Sequence, residues 1–209
     1  MGNNNKEELN MRKKKMSTRT MVTGALLTAL VIALQFVSMA IRTGTFSITL
    51  SLVPIVIGAI ICGKGMGAWL GFVFGVTVIA TGDAAPFMAV DILGTILTVL
   101  LKGTACGFVS GLVYEVIKKI FCKNKSTSYV GAVISAIACP ITNTGVFLLG
   151  CLAFFMETLA QWGAGLGFGS NVGKYMIFGL VGTNFLIEMA VIIVFAPAIV
   201  RVIKVAFKK

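Results

Sequence analysis

Lys102 and Glu188 are the two ionisable residues that fall near the middle of long apolar runs in this 209-residue chain. A charge at mid-bilayer costs roughly 2.5–3.5 kcal/mol on insertion scales, so it persists only when paired, hydrated in a cavity or put to use. Polar groups gather near both. Asn184 precedes Glu188 by one helical turn and shares its face, and Thr142, Asn143 and Thr144 follow Pro140, whose missing N–H frees a local carbonyl. A cation, a carboxylate, amides and hydroxyls on apolar walls suit the reading of a small polar solute. Two arrangements are open: a polar pocket opening outward between the fourth, fifth and sixth helices, or a structural Lys102–Glu188 ion pair locking the bundle. They overlap, since an ion pair can line a pocket wall, and function is the default for intramembrane ionisable groups. Asp91 and Trp162, in the outward loops, complete the candidate set of Lys102, Asn143, Asn184, Glu188, Thr142, Trp162 and Asp91.

Bond-making chemistry finds little support. Histidine is absent, which removes the commonest general base and metal ligand. No GxSxG, HExxH or Walker A motif occurs. The five cysteines (Cys62, Cys106, Cys122, Cys139, Cys151) form no CxxC pair, and their odd number and apolar surroundings mark reduced packing residues. No catalytic residue and no metal site is expected.

The elements that must carry these residues follow from composition. With 57% hydrophobic and 12% charged residues, the solvent implied is lipid. A spanning helix takes about 20 apolar residues. Six spans are expected, at about 20–41, 47–62, 66–81, 92–117, 129–156 and 175–200, giving an all-α integral membrane protein. Residues 1–18 read as a disordered basic tail and residues 19–209 as a single six-helix membrane domain, with no room for a separate soluble enzyme or ATPase. The first run is longer than a secretory h-region of roughly 7–15 residues, so it is read as a retained helix despite the cleavage-like Ser38-Met39-Ala40.

The net charge of +11 reports orientation, not nucleic acid, because the basic residues flank the apolar runs. Fifteen of the 18 fall on one side: Lys6, Arg12 to Lys15, Arg19, Lys64, Lys118, Lys119, Lys123, Lys125, Arg201, Lys204, Lys208 and Lys209. The positive-inside rule puts that side, and both termini, in the cytoplasm. On the opposite side, the alternating stretch Thr45 to Leu50 suits an extended cap over a cavity. The glycine-dense segment from Glu157 to Lys174 suits either a flexible lid carrying Trp162 or a loose connector with Trp162 as an interfacial anchor.

Three stripes of small residues recur every four positions: Ala25, Ala29, Ala33; Gly67, Gly71, Gly75; and Gly103, Gly107, Gly111. Such stripes let membrane helices approach closely. The glycine stripes are read as internal packing, whereas the alanine stripe fits either packing or an exposed docking face.

These features, in order, resemble the S components of energy-coupling factor (ECF) transporters, the bacterial vitamin-uptake machines. The resemblance runs from about Ser17 to Lys204. It rests on the basic tail before the AxxxA-type first helix, on Leu52 to Ala59 followed by Gly63 to Phe72, on Thr142-Asn143-Thr144, and on Asn184 with Glu188 before Ala196 to Val200. It implies a multi-pass subunit of the bacterial plasma membrane that binds a small water-soluble vitamin or precursor near the outer face. It also implies docking through Ala25, Ala29 and Ala33 onto a transmembrane T subunit coupled to two ATPases. ATP is then used by those partners, and no cofactor is expected in this chain. The branch most resembled includes proposed pantothenate transporters, and a buried cation such as Lys102 suits a carboxylate-bearing vitamin. A proton-coupled secondary transporter using Glu188 and a purely structural membrane protein are the competing readings, although no internal repeat of the secondary-carrier kind is visible.

Overall fold

The computed structural model describes residues 18–43, 46–47, 49–121, 125–169 and 171–206. The basic tail through residue 17 and part of the alternating stretch, including Thr45 and Ile48, lie outside the described residues. The chain forms helices almost throughout: α1 (Thr18–Ala40), α2 (Leu52–Cys62), α3 (Lys64–Ala80), α4 (Ala85–Met88), α5 (Ile92–Phe121), α6 (Lys125–Phe154), α7 (Met156–Gly165), α8 (Val172–Lys174) and α9 (Gly182–Ala206). A π-helical segment, Tyr175–Val181, runs directly into α9. Between α1 and α2 the backbone makes a two-strand antiparallel hairpin, β1 (Arg42–Thr43) and β2 (Phe46–Ser47), with Arg42 opposite Ser47.

Among the described residues, four helical stretches are long and apolar enough to cross a membrane: Thr18–Ala40, Ile92–Ile120, Tyr129–Phe154 and Asn184–Val202. Their outer faces carry exposed apolar side chains such as Leu26, Leu93, Leu149 and Val194, as lipid-facing surfaces do. The expected spans 47–62 and 66–81 are shorter. α2 has 11 residues, about 16 Å at the helical rise, well under the ~30 Å of a hydrocarbon core. The residues before it are spent on the hairpin and on a turn tied to α1, where Ser38 Oγ accepts from Leu50 N at 3.2 Å and Ser51 Oγ donates to Val31 O at 3.1 Å. α3 follows after a single residue, Gly63, whose φ of +93° is open to glycine at little cost.

The glycine stripes meet face to face. A methyl group on Gly67 would land on the carbonyl of Gly107, one on Gly71 on that of Gly103, and one on Gly75 would sit 2.9 Å from Val99 O. Absence of side chains there lets α3 and α5 touch backbone to backbone. α5 is joined on its other side to α6, where Ser135 Oγ donates to Ser110 O at 2.6 Å and the two hydroxyls lie 2.9 Å apart. The core runs through this α3–α5–α6 stack and takes in α2, with Leu52, Ile55, Leu70 and Phe74 fully enclosed. α1 covers α2 and α3 with Gly24, Leu27, Val31, Gln35 and Ser38, spaced by three and four residues on one face.

Candidate functional site

The close contact of α3 with α5 fixes the height and rotation of Lys102, which is adjacent to Gly103. α5 turns Thr95, Thr98 and Lys102 toward the interior, at spacings of three and four residues that lie on one helical face. Opposite, α6 supplies Asn143, Thr144 and Phe147 just beyond Pro140, and the π-segment with α9 supplies Val181, Asn184 and Glu188. A π-segment resets the helical register by about one residue, and such segments are frequent at functional sites. The far wall comes from Phe74 and Val78 of α3, from Asp83 and Phe87 beside and in α4, and from Thr49 after the hairpin.

These walls enclose two adjoining chambers that share Val78, Asp83, Lys102 and Phe147. The polar chamber is bordered by Thr49, Asn143, Asn184 and Glu188. The aromatic chamber is bordered by Phe87, Phe147 and Phe155, with Thr95 and Thr98 as its hydroxyls. Each is narrow as it stands, with room for about one or two water molecules, so a solute has to move the walls apart.

Glu188 is 1% exposed. Its Oε1 accepts from Asn184 Nδ2 at 3.0 Å, an i, i+4 contact along α9. Among the described residues, Glu188 Oε2, Asn143 Oδ1, Asn184 Oδ1 and Thr98 Oγ1 are buried with no hydrogen-bond partner. Lys102 Nζ lies 4.9 Å from the centroid of the Phe147 ring, within reach of its negative face. Lys102 and Glu188 border the same chamber but do not close to the 4.0 Å of an ion pair. Lys102 and Glu188 therefore attract each other across the chamber without direct contact, and acceptor atoms with unused capacity stand between α6 and α9.

Phe87 is the hub of the aromatic wall, meeting Phe147 at 5.6 Å, Phe155 at 5.1 Å and Trp162 at 5.4 Å, all edge to face. Trp162 thus backs the cavity through Phe87 and does not border it. Its segment is helix α7, not an open loop, because Leu159 is buried and Gly163 sits against the Tyr175 ring.

Of the residues expected from sequence, Lys102, Asn143, Asn184 and Glu188 come together at the polar chamber. Thr142 donates to Ala138 O of its own helix at 2.8 Å, and Asp91 Oδ1 accepts from Gly94 N at 3.0 Å as the cap of α5. Neither borders the two chambers. Sequence reasoning passed over Thr49, Asp83, Thr98 and Phe147. The spacing Thr95, Thr98, Lys102 was a usable signal for one of them, as was Asn143 to Phe147 for another. Thr49 belongs to the alternating stretch that suits a cap over a cavity, a signal for the segment that did not single out the residue. Ala25, Ala29 and Ala33 are exposed, on a different face of α1 from Leu27 and Val31, and Trp69 Nε1 reaches Thr28 Oγ1 beside them at 3.3 Å.

Comparison with known proteins bears on the whole of this frame. The chain is similar to the pantothenic acid transporter PanT of Lactococcus lactis subsp. cremoris (strain MG1363), at 28% identity over 200 residues, covering 91% of this chain and 95% of that protein. Its fold is similar to the solved structure of ThiT from Listeria monocytogenes, with a TM-score of 0.59 at 18% identity, covering 87% of this chain and 96% of that one. The profile of the ECF transporter substrate-specific components matches residues 19–200. A membrane protein whose helices meet around a polar and aromatic cavity, this chain belongs to the substrate-specific components of ECF transporters, a family of transporter subunits and not of enzymes.

Proposed function

We propose that this chain is the high-affinity solute-binding subunit of a vitamin uptake system in the bacterial plasma membrane, with pantothenate as its solute. The observation that carries the reading is the paired chamber: Lys102 stands between buried acceptors on one side and the Phe87 and Phe155 rings on the other. A solute with both polar and apolar parts is what such walls reward. The similarity to a pantothenic acid transporter narrows the class. In this reading Lys102, Asn143, Asn184 and Glu188 contact the solute, and six membrane crossings leave both termini in the cytoplasm. Ala25, Ala29 and Ala33 form the face that meets a transmembrane T subunit, whose two ATPase partners supply the energy.

The test is native mass spectrometry of the detergent-purified protein, followed by titration against the water-soluble vitamins and their precursors. One bound small molecule displaced by pantothenate is the expected result. Failure to bind any member of the panel would overturn the binding-subunit reading and leave the family resemblance as a statement of fold.

A further inference from the structure

The cavity's hydrogen-bonding groups are sorted by kind. On α6 and α9 stand acceptors: Glu188 Oε2, Asn143 Oδ1 and Asn184 Oδ1, none with a well-aligned hydrogen bond among the described residues, although the Thr49 and Asn143 side chains approach Glu188. Asn143 is 4% and Glu188 1% exposed, so water does not reach them freely. A carboxylate only accepts, which obliges Asn184 to offer it Nδ2 and leaves Oδ1 unpaired. On α5 stand donors: the Lys102 ammonium and, one turn before it, the Thr98 hydroxyl, also unpartnered. Lys102 is the one cation bordering either chamber among the described residues. Asp83 borders both chambers as well, and is already engaged in an interaction of its own.

We infer that the cavity is bipolar and holds its solute in one orientation, with a carboxylate on Lys102 and Thr98 of α5 and hydroxyl or amide N–H groups of the same molecule donating to Glu188, Asn143 and Asn184. The inference rests on the proposed binding role of this cavity and adds the chemistry of its ligand. Glu188 enforces the orientation from the far side, because a second carboxylate placed against it meets like charge in a dry environment. A neutral solute leaves the ammonium without a direct anionic partner, held by the Phe147 ring and by the more distant attraction of Glu188 and Asp83. An anion without donors leaves three buried acceptors unmade, a loss that a hydroxylated solute avoids. The ligand class is therefore a hydroxy- or amido-carboxylic acid. Simple cations and purely apolar acids are excluded by opposite ends of the same site.

The experiment is isothermal titration of the full chain in detergent with pantothenate and with pantothenol, the alcohol that replaces its carboxylate. The wild-type protein is expected to favour pantothenate at least tenfold, and Lys102→Met to bring the ratio of the two affinities close to one. Glu188→Gln is expected to weaken both ligands at least tenfold while preserving their ratio. A wild-type ratio near one overturns the inference without recourse to any variant. So does a ratio that survives Lys102→Met in protein that still elutes as a monodisperse peak. Failure of the pantothenate reading looks different: the wild-type protein ignores both probes and takes another vitamin. If that vitamin carries a carboxylate and its binding depends on Lys102, the bipolar site stands. If it carries none, the inference falls too.

Discussion

Asn184 and Glu188 act as a unit because both sit one turn apart on α9 and share a hydrogen bond of 3.0 Å, while Asn143 approaches from α6 with its own acceptor unpaired. Removing that acceptor should be felt directly: Asn143→Ala is expected to weaken solute binding at least tenfold, about 1.4 kcal/mol, in a titration of purified protein. Asp91 makes the contrast. Its carboxylate caps α5 away from the chambers, so Asp91→Ala should lower the unfolding temperature through the loss of about 1 kcal/mol of capping and leave solute affinity within twofold. A large drop in affinity with an unchanged melting curve would show instead that Asp91 meets the solute. At this scale the sequence was legible where a polar residue interrupts an apolar run, as at Lys102, Asn143 and Glu188. It was not legible at Asp83, whose surroundings are ordinary loop sequence and whose place in the wall depends on long-range folding, and at Thr49 only through the alternating stretch that suits a cap over a cavity.

The α3–α5 contact shows what the spacing of small residues does and does not reveal. That Gly67, Gly71 and Gly75 form a close-packing face could be read from their period, but not that the partner would be the stripe of Gly103 and Gly107. A direct check exploits the difference between two glycines of α3. Gly71→Ala drives a methyl into the Gly103 carbonyl and is expected to destabilise by about 1–3 kcal/mol. Gly65→Ala meets nothing within 4 Å and should be neutral or slightly stabilising through helix propensity, by at most ~1 kcal/mol. Thermal unfolding in detergent reads both, and equal melting temperatures would contradict the packing. The π-segment ahead of α9 left no comparable trace in the hydropathy pattern, since Tyr175–Val181 is apolar enough for a continuous span, whereas the second hairpin strand falls in the alternating stretch that reads as extended.

At the scale of the whole molecule, α1 has two working faces: Gly24, Leu27 and Val31 against the bundle, and Ala25, Ala29 and Ala33 turned outward. If the outward face is where a T subunit docks, Ala29→Trp should abolish co-purification with that subunit and leave solute titration unchanged, the cavity being built by other helices. Normal assembly by this variant would remove the docking role. The two tryptophans of the chain stand at separate contacts, Trp69 at the α1–α3 seam and Trp162 on the back of Phe87. Indole emission is sensitive to small changes in its neighbours, so the protein carries one built-in fluorescent reporter for each event. With Trp69→Phe, the remaining signal belongs to Trp162 alone, and a solute pressing on Phe87 should shift it in real time, giving association and dissociation rates without any label.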